Sequence, residues 1–153
     1  MKYNSKKHLK TAWITRGKDE IVTKPWGTEK VWSGFGGIHG KILTVCKGKR
    51  TSLKFHKVKS EVLYLTTGKI KALFGNEASF SDPVANPLQT KILQPGDALL
   101  VQSDCPYRLI ALEDSEIIEI GNYSSDKPIR VLDDYERESE DIKDLLEAIS
   151  EHT

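Results

Sequence analysis

The stretch GKRTSLKFHKVKSEVLYLTTG, residues 48–68, decides how this chain folds. Apolar and polar residues alternate in its first half, and alternation with a period of two is typical of a half-buried strand. Leu53 and Phe55 therefore face one side of the predicted strand, while Lys54 and His56 face the other. One of these two faces must look into the interior of the protein.

More strands follow on both sides of this stretch. Residues 61–67 are rich in β-formers and stop at Gly68, which predicts a strand and a hairpin turn. Residues 75–91 contain several Gly, Asn, Asp and Pro residues and are predicted to be a long loop. Further strands are predicted at residues 40–46, 69–74, 91–93, 98–102, 107–112 and 116–120. Many short strands separated by turn signals favour an all-β barrel or sandwich.

Length and composition limit the class of protein. A chain of 153 residues has the size of one domain with one core. A net charge of +1 argues against a dedicated nucleic-acid binder, and no apolar run approaches the roughly 20 residues of a membrane span. The basic start is followed by no apolar stretch, so a secretory signal is not expected. Cys46 and Cys105 are expected to be reduced thiols of a cytoplasmic protein.

The two ends of the chain carry opposite charge. Residues 1–10 hold four lysines and no acid, whereas residues 133–151 hold nine acids. The apolar residues Ile142, Leu145, Leu146 and Ile149 fall at helical spacing and predict a C-terminal helix, whose apolar stripe would cover either the barrel or a partner subunit.

We therefore divide the chain into three predicted parts. Residues 1–22 form an N-terminal arm, residues 23–137 the β-barrel domain and residues 138–153 the C-terminal helix. The arm and an edge strand of the barrel offer a route to a homodimer by strand exchange.

Residues 48–68 also resemble the first motif of the cupins, in which a glycine turn leads to a strand with ligands two residues apart and then to a glutamate. Here these positions are Lys54, His56 and Glu61. The second cupin motif follows a Pro-Gly-Asp turn, and Gln94-Pro95-Gly96-Asp97 is followed here by VQSDCPYRL, residues 101–109. The resemblance implies a jelly-roll β-barrel.

Two further stretches narrow the resemblance. Lys24-Pro25-Trp26-Gly27 and IRVLDDYER, residues 129–137, both look like the type II mannose-6-phosphate isomerase family. That family is often fused to mannose-1-phosphate guanylyltransferases. The resemblance implies a small-molecule substrate, either a phosphorylated sugar or a nucleotide sugar, and isomerase or epimerase chemistry, with no nucleic acid and no membrane as partner.

This sequence differs from that family at the positions of the metal ligands. The resemblance places them at Lys54, His56, Glu61 and Tyr107, of which only His56 and Glu61 are metal-binding types here. A protonated lysine has no lone pair and repels a cation, and a neutral tyrosine is a poor ligand. We therefore predict no cofactor, with a weakly bound divalent metal on His56 and Glu61 as the alternative.

The resemblance suggests roles for the remaining side chains. Lys54 would put a fixed positive charge where relatives keep the ion and would pair with Glu61, while His56 acts as base and Tyr107 as acid. Candidate substrate-binding residues are Arg108, Arg130, Arg137, Lys24 and Trp26.

Plainer interpretations of these residues stay open. The lysine–glutamate pair can be a structural replacement for a lost ion in a non-catalytic sugar-binding or regulatory protein. Trp26 can be packing, and Arg108 is out of phase with Tyr107 on its strand. His39 is predicted to lie in a flexible loop and not to be a ligand.

Overall fold

The computed structural model describes residues 10–14, 21–122 and 127–132. In this part of the chain eleven strands form two antiparallel sheets. The six-stranded sheet has the order β1-β2-β3-β10-β5-β8, and its strands are β1 (Ile21–Lys24), β2 (Gly27–Phe35), β3 (Ile38–Val45), β10 (Ser115–Asn122), β5 (Glu61–Thr67) and β8 (Ala98–Val101). The five-stranded sheet has the order β11-β4-β9-β6-β7, and its strands are β11 (Ile129–Leu132), β4 (Leu53–Phe55), β9 (Tyr107–Ala111), β6 (Ile70–Phe74) and β7 (Gln89–Leu93).

The main core lies between the two sheets and follows the strand alternation. Every second residue of β5 and β10 is buried while those between face outward, because successive side chains of a strand point to opposite sides. The core is built from Trp26, Leu43, Val45, Leu63, Leu65, Ile70, Ala72, Leu99, Val101, Tyr107, Leu109, Ala111 and Ile117. It fills one end of the space between the sheets and leaves the other end to polar side chains.

A second apolar cluster orients β4. Leu53 and Phe55 pack with Ile129 and Val131 of β11, and the loop before β7 adds Phe80, whose ring centroid lies 5.7 Å from that of Phe55. Residues 51–56 therefore lie between two apolar regions, the main core on the inner side and this second cluster on the outer side. The outer one takes Leu53 and Phe55, so that the face carrying residues 54 and 56 is turned to the interior.

The start of the barrel was not predicted as strand. β1 begins at Ile21, inside the predicted N-terminal arm, and pairs with β2 through Lys24 and Gly27. A Cβ at residue 27 would lie 1.8 Å from the carbonyl oxygen of Thr44, so only glycine allows this turn to close against β3. The residues of β2 are mostly half-buried and mixed in polarity, which hides the period of two.

Other boundaries also differ from the sequence prediction. β11 was not predicted, and the loop after β6 ends at Gln89, where β7 begins. His39 lies in strand β3, not in a flexible loop. The predicted C-terminal helix lies outside the described residues. Among the residues described, no helix has the length and apolar character of a membrane span.

Candidate functional site

The polar end of the barrel interior collects charged side chains from both sheets. The strand register explains the grouping, because Lys54 lies opposite Tyr107 and Gly121 lies between Glu61 on β5 and His39 on β3. We call this group the polar cluster, and it consists of Glu29, His39, Lys41, Lys54, His56, Lys59, Glu61, Tyr107 and Glu119.

Glu61 is the centre of the polar cluster. One carboxylate oxygen, Oε1, lies 3.2 Å from Nε2 of His56 and 2.6 Å from Nζ of Lys59. The other oxygen, Oε2, accepts a hydrogen bond of 2.5 Å from the hydroxyl of Tyr107. Burial by itself would raise the pKa of Glu61, but the hydrogen bond from His56 and the charges of Lys54 and Lys59 hold this pKa well below its ordinary value. Glu61 is therefore an ionised carboxylate with three donors.

The lysine on Glu61 is not the one that the sequence predicted. Lys59, which is 8% exposed, contacts Glu61 and also lies 3.5 Å from Oε2 of Glu119. Among the described residues, Lys54 forms no ion pair within 4.0 Å, so the predicted Lys54–Glu61 pair is replaced by the Lys59–Glu61 pair. The physical reason is that Lys59 precedes β5 and reaches back over Gly121, whereas Lys54 starts from the opposite sheet.

Lys54 nevertheless faces the site. Its Nζ lies 5.8 Å from the ring centroid of Tyr107, within cation–π range. Burial lowers the pKa of Lys54, and the negative charges of Glu61 and Glu119 offset this only in part. The ammonium of Lys54 is thus a half-buried cation without a carboxylate within 4.0 Å in the part of the chain that the structure describes.

Tyr107 is suited to remain a proton donor. Burial and the charge of Glu61 raise its pKa well above the ordinary value, because both disfavour the phenolate. Tyr107 is 2% exposed and its ring belongs to the main core, so only its hydroxyl reaches the polar cluster.

A second histidine–carboxylate pair was missed by the sequence interpretation. Nε2 of His39 lies 3.0 Å from Oε2 of Glu119, and both side chains are almost fully buried. Burial would raise the pKa of Glu119 and Glu61 repels its charge, yet the hydrogen bond that Glu119 accepts from His39 and the charge of Lys59 keep this pKa below its ordinary value. The signal that could have found the pair is Glu119, a lone acid at an inward position of the apolar run 117–120.

Two predicted substrate-binding residues lie away from the polar cluster. Trp26 is 3% exposed and packs in the main core, an environment that favours the packing interpretation. Arg108 is buried on the face of β9 opposite Tyr107, as its phase on the strand predicts, and its Nε donates a hydrogen bond of 2.8 Å to the carbonyl of Thr51. Their roles in binding stay predictions.

The other three candidates differ in position. Arg130 lies opposite Lys54 in the ladder between β11 and β4. Lys24 lies 3.9 Å from Oε2 of Glu29, which also accepts a hydrogen bond of 3.2 Å from Lys41. Burial would lower the pKa of Lys41, but the neighbouring charge of Glu29 raises it overall. Arg137 lies outside the described residues.

The donor set does not fit a divalent metal. Both carboxylate oxygens of Glu61 are already engaged, and the ammonium of Lys59 lies 2.6 Å from the oxygen that His56 shares. No group of three His, Cys, Asp or Glu side chains in the described ranges is arranged to hold an ion. A cation brought to His56 and Glu61 would meet the positive charge of Lys59 at close range. The prediction that this site works without a cofactor remains to be tested.

An open cavity of about 520 Å³ borders the polar cluster. It lies at the rim of the six-stranded sheet, where β5 begins and β8 and β10 end, and its lining includes Glu61 and Gly121. Its exposed lining residues Val62, Leu100 and Ile120 belong to the outer face of the sheet, whereas the side chain of Glu61 is 2% exposed.

Comparison with solved structures identifies the fold. KdgF from Halomonas sp. superposes with a TM-score of 0.59 at 15% identity, covering 72% of this chain and 94% of that one. An RmlC-like cupin from Shewanella frigidimarina gives a TM-score of 0.58 at 15% identity, with 76% and 95% covered. Oxalate decarboxylase from B. subtilis, in a variant form, gives a TM-score of 0.70 at 14% identity and covers 94% of this chain, which spans only 38% of that longer chain.

These likenesses confirm the predicted fold class, an all-β cupin barrel of jelly-roll type. No family model and no curated protein matches the sequence. At such low identities the solved structures show the fold alone, so the narrower resemblance to the isomerase family carries over only as a proposal.

Proposed function

We propose that this cupin isomerises or epimerises a phosphorylated sugar or a nucleotide sugar by acid–base chemistry in which His56 is the base. The observation that carries the proposal is the placement of the two ring nitrogens of His56. Its Nε2 is held by Glu61, while its Nδ1 is buried and has no hydrogen-bond partner among the described residues. In the neutral ring that donates from Nε2 to the carboxylate, Nδ1 carries the lone pair that accepts a proton.

Tyr107 supplies the complementary acid. Its hydroxyl is bound to the same carboxylate as His56, so that Glu61 orients both groups. In isomerisation the base removes a proton from the carbon next to a carbonyl, and a donor to the carbonyl oxygen stabilises the enediolate that forms. The raised pKa of Tyr107 keeps the phenol protonated for this task.

Lys54 and Arg130 are the groups that would hold the substrate's phosphate. They lie opposite each other in the ladder between β4 and β11, with Lys54 turned to the interior beside Tyr107. Arginine and lysine bind phosphate through charge and directed N–H groups. Lys54 has no carboxylate within 4.0 Å in the described part of the chain, so an anion would supply the missing counter-charge.

Incorporation of solvent deuterium tests the proposal. The protein is incubated in deuterated water with mannose 6-phosphate, other hexose phosphates and nucleotide sugars, and label on the carbon next to the carbonyl is measured by NMR. We expect His56→Gln to lower the exchange rate by about 100-fold or more, the size typical of a general base. Tyr107→Phe is compared with Tyr64→Phe, a matched control on the outer face of β5.

A non-catalytic sugar-binding cupin is the second candidate. The observation that favours it is that the carboxylate of Glu61 already contacts three donor groups. This set of contacts is stable by itself and does not require a reacting substrate. Absence of label in every substrate, together with calorimetric binding of one of them, would replace the enzyme by this alternative. Loss of that binding in Lys54→Met would still locate the ligand in the barrel.

The remaining partner predictions concern assembly. We propose a cytoplasmic homodimer formed by strand exchange, since β1 is an edge strand whose Ile21 and Val22 are 58% and 43% exposed. Sedimentation of the protein as a monomer at micromolar concentration would contradict it.

A further inference from the structure

We propose that the acidic C-terminal segment, residues 133–153, docks on the outer face of the five-stranded sheet of its own chain. The inference does not depend on the function proposed above. It assigns an occupant to a basic and apolar surface outside the polar cluster. It also decides what the apolar stripe of the predicted C-terminal helix covers, namely the barrel and not a partner subunit.

The surface is a row of side chains that crosses the sheet. Arg50, Ile110, Lys71 and Ile92 are successive partners from one strand to the next, and directly opposite residues of antiparallel strands project from the same face. Ile110 and Lys71 alternate with core residues, so this face is the outer one. We call these four residues the outer row. Ile92 is 46% exposed, and Leu112, just beyond β9, is 38% exposed.

Another part of the same face is already covered by segments of this chain. Leu53 and Phe55 are buried there against Ile129 and Val131 of β11 and against Phe80 of the loop before β7. The outer row begins at Arg50, three residues before β4, where this cover stops. Within the described residues, the apolar side chains at the far end of the row remain open to solvent.

Charge distinguishes the five-stranded sheet from the other sheet. Its strands hold five basic residues and no acid, whereas the strands of the six-stranded sheet hold four glutamates. Residues 133–151 hold nine acids, and Arg137 and Lys143 are the lysine and arginine residues among them. The field of a basic sheet attracts such a segment, so charge complementarity favours the five-stranded sheet as its docking surface.

The segment also begins beside the outer row. β11 runs antiparallel to β4, with Ile129 opposite Phe55 and Leu132 opposite Leu53. Residue numbers therefore rise along β11 as they fall along β4, and the chain leaves β11 in the direction of Arg50. Residues 133–141 have to cross from β11 to β9, which is two strand spacings or about 10 Å. Nine residues cover this distance in any conformation from helical to extended.

The predicted apolar stripe matches the row in length. From Ile142 to Ile149 a helix rises by about 10 Å. Ile110 on β9 and Ile92 on β7 are separated by two strand spacings, which is again about 10 Å. A helix laid across β9, β6 and β7 can thus place its apolar residues on these two isoleucines, with its acids near Lys71.

The outer face of the six-stranded sheet is the competing surface. It exposes Val62, Leu100 and Ile120, and Leu100 is 72% exposed. It also presents Glu116, an outward residue of β10, to any ligand. Of the two outer faces, the five-stranded one combines exposed apolar side chains with positive charge and lies next to the point where residue 133 begins.

Acetylation of lysines, measured by mass spectrometry on the full chain, tests the docking. Lys71 reports on the outer row, and Lys57, exposed beyond the other end of β4, is the internal control. We expect Lys71 in the wild-type protein to react about fivefold or more slowly than in a Leu145→Asp/Leu146→Asp variant, with Lys57 unchanged. Both substitutions lie beyond β11, so the barrel keeps all its strands. Ser150→Asn, outside the apolar stripe, is the matched control.

Salt and dilution sharpen the test. The protection of Lys71 should weaken as salt rises from about 0.01 M to about 1 M, because the Debye length falls from about 30 Å to about 3 Å. Protection should not depend on protein concentration, since the segment and the surface belong to one chain.

Four results would overturn the inference. Equal reaction rates of Lys71 in the wild-type protein and the double variant show that nothing docks on the outer row. Protection that disappears on dilution shows that a second copy supplies the segment. Protection of Lys30 on the outer face of β2, with Lys71 unchanged, places the segment on the six-stranded sheet. Protection of Lys71 that high salt leaves unchanged removes the charge argument for the chosen face.

Discussion

Replacing the buried Lys59 or the half-buried Lys54 by methionine should have opposite effects on stability. Methionine keeps most of the aliphatic stem and removes only the charge. Lys59 contacts two carboxylates whose side chains are 2% and 5% exposed, whereas Lys54 has no carboxylate within 4.0 Å in the part of the chain described. Both lysines point into the same space, so each variant is the control for the other.

The expected magnitudes follow from these contacts. Removing one partner of a buried ion pair costs about 3–5 kcal/mol, because the other charge stays buried without compensation, and we expect this for Lys59→Met. Removing a half-buried cation without a close carboxylate ends a desolvation cost, and we expect Lys54→Met to raise the free energy of unfolding by about 1 kcal/mol. The two variants should therefore differ in free energy of unfolding by about 4–6 kcal/mol, a sizeable part of a typical domain stability of about 5–15 kcal/mol.

Urea unfolding followed by tryptophan fluorescence at pH 7 measures both variants. The pH dependence gives a second check. The lowered pKa values of Glu61 and Glu119 stabilise the folded protein above the ordinary carboxyl value of 4.5, and this contribution is lost as the pH falls below it, so the deficit of Lys59→Met should shrink in acid.

The effect of Lys54→Met on stability should change at alkaline pH instead of acidic pH. The lowered pKa of Lys54 makes its charged form a cost that is fully present at neutral pH and disappears as the pH rises toward 10.5, so the gain of Lys54→Met should vanish there. Equal effects of the two substitutions at pH 7, or a loss from Lys54→Met as large as that from Lys59→Met, would refute this account of the polar cluster.

Three further outcomes follow from the same contacts. Tyr107→Phe leaves one oxygen of Glu61 without its donor and should cost about 1–3 kcal/mol, while Tyr64→Phe on the outer face should stay within about 0.5 kcal/mol in the same unfolding assay. Gly121→Ala should cost about 1–3 kcal/mol by crowding the side chains of His39 and Lys59, which thermal unfolding will show; an unchanged midpoint would contradict the close packing there. Dialysis against a chelator should leave the unfolding midpoint unchanged, and elemental analysis should find far less than one metal ion per chain; a stoichiometric ion would contradict the position of Lys59.

The sequence predicted most of the strands because their patterns are local. Residues 61–67 combine β-formers with a terminal glycine, and the observed β5 has these bounds. The sequence did not predict β2, because its residues are mostly half-buried and both of its faces carry polar residues. The position of β2 is set by its pairing with β3 and not by its own pattern. The same holds for β11, a four-residue strand fixed by contact with β4.

Within the polar cluster, the resemblance to the cupin motifs pointed to His56, Glu61 and Tyr107, which the structure brings into direct contact through the carboxylate of Glu61. It assigned the wrong lysine to Glu61, since nothing in the order of residues 54–61 tells which of two long, flexible side chains reaches the carboxylate. It also gave no sign that His39 lies beside Glu119, eighty residues further along the chain.

By itself the sequence determined the alternation of each strand, and with it that Lys54 and His56 share one face while Leu53 and Phe55 share the other, because side-chain direction along a strand depends only on position parity. Which charges meet was decided by the tertiary structure. Partners such as Lys59 and Glu119 are set by strand register, by the glycine gap at residue 121 and by the apolar cluster outside β4, and these are relations between distant segments that no local pattern encodes.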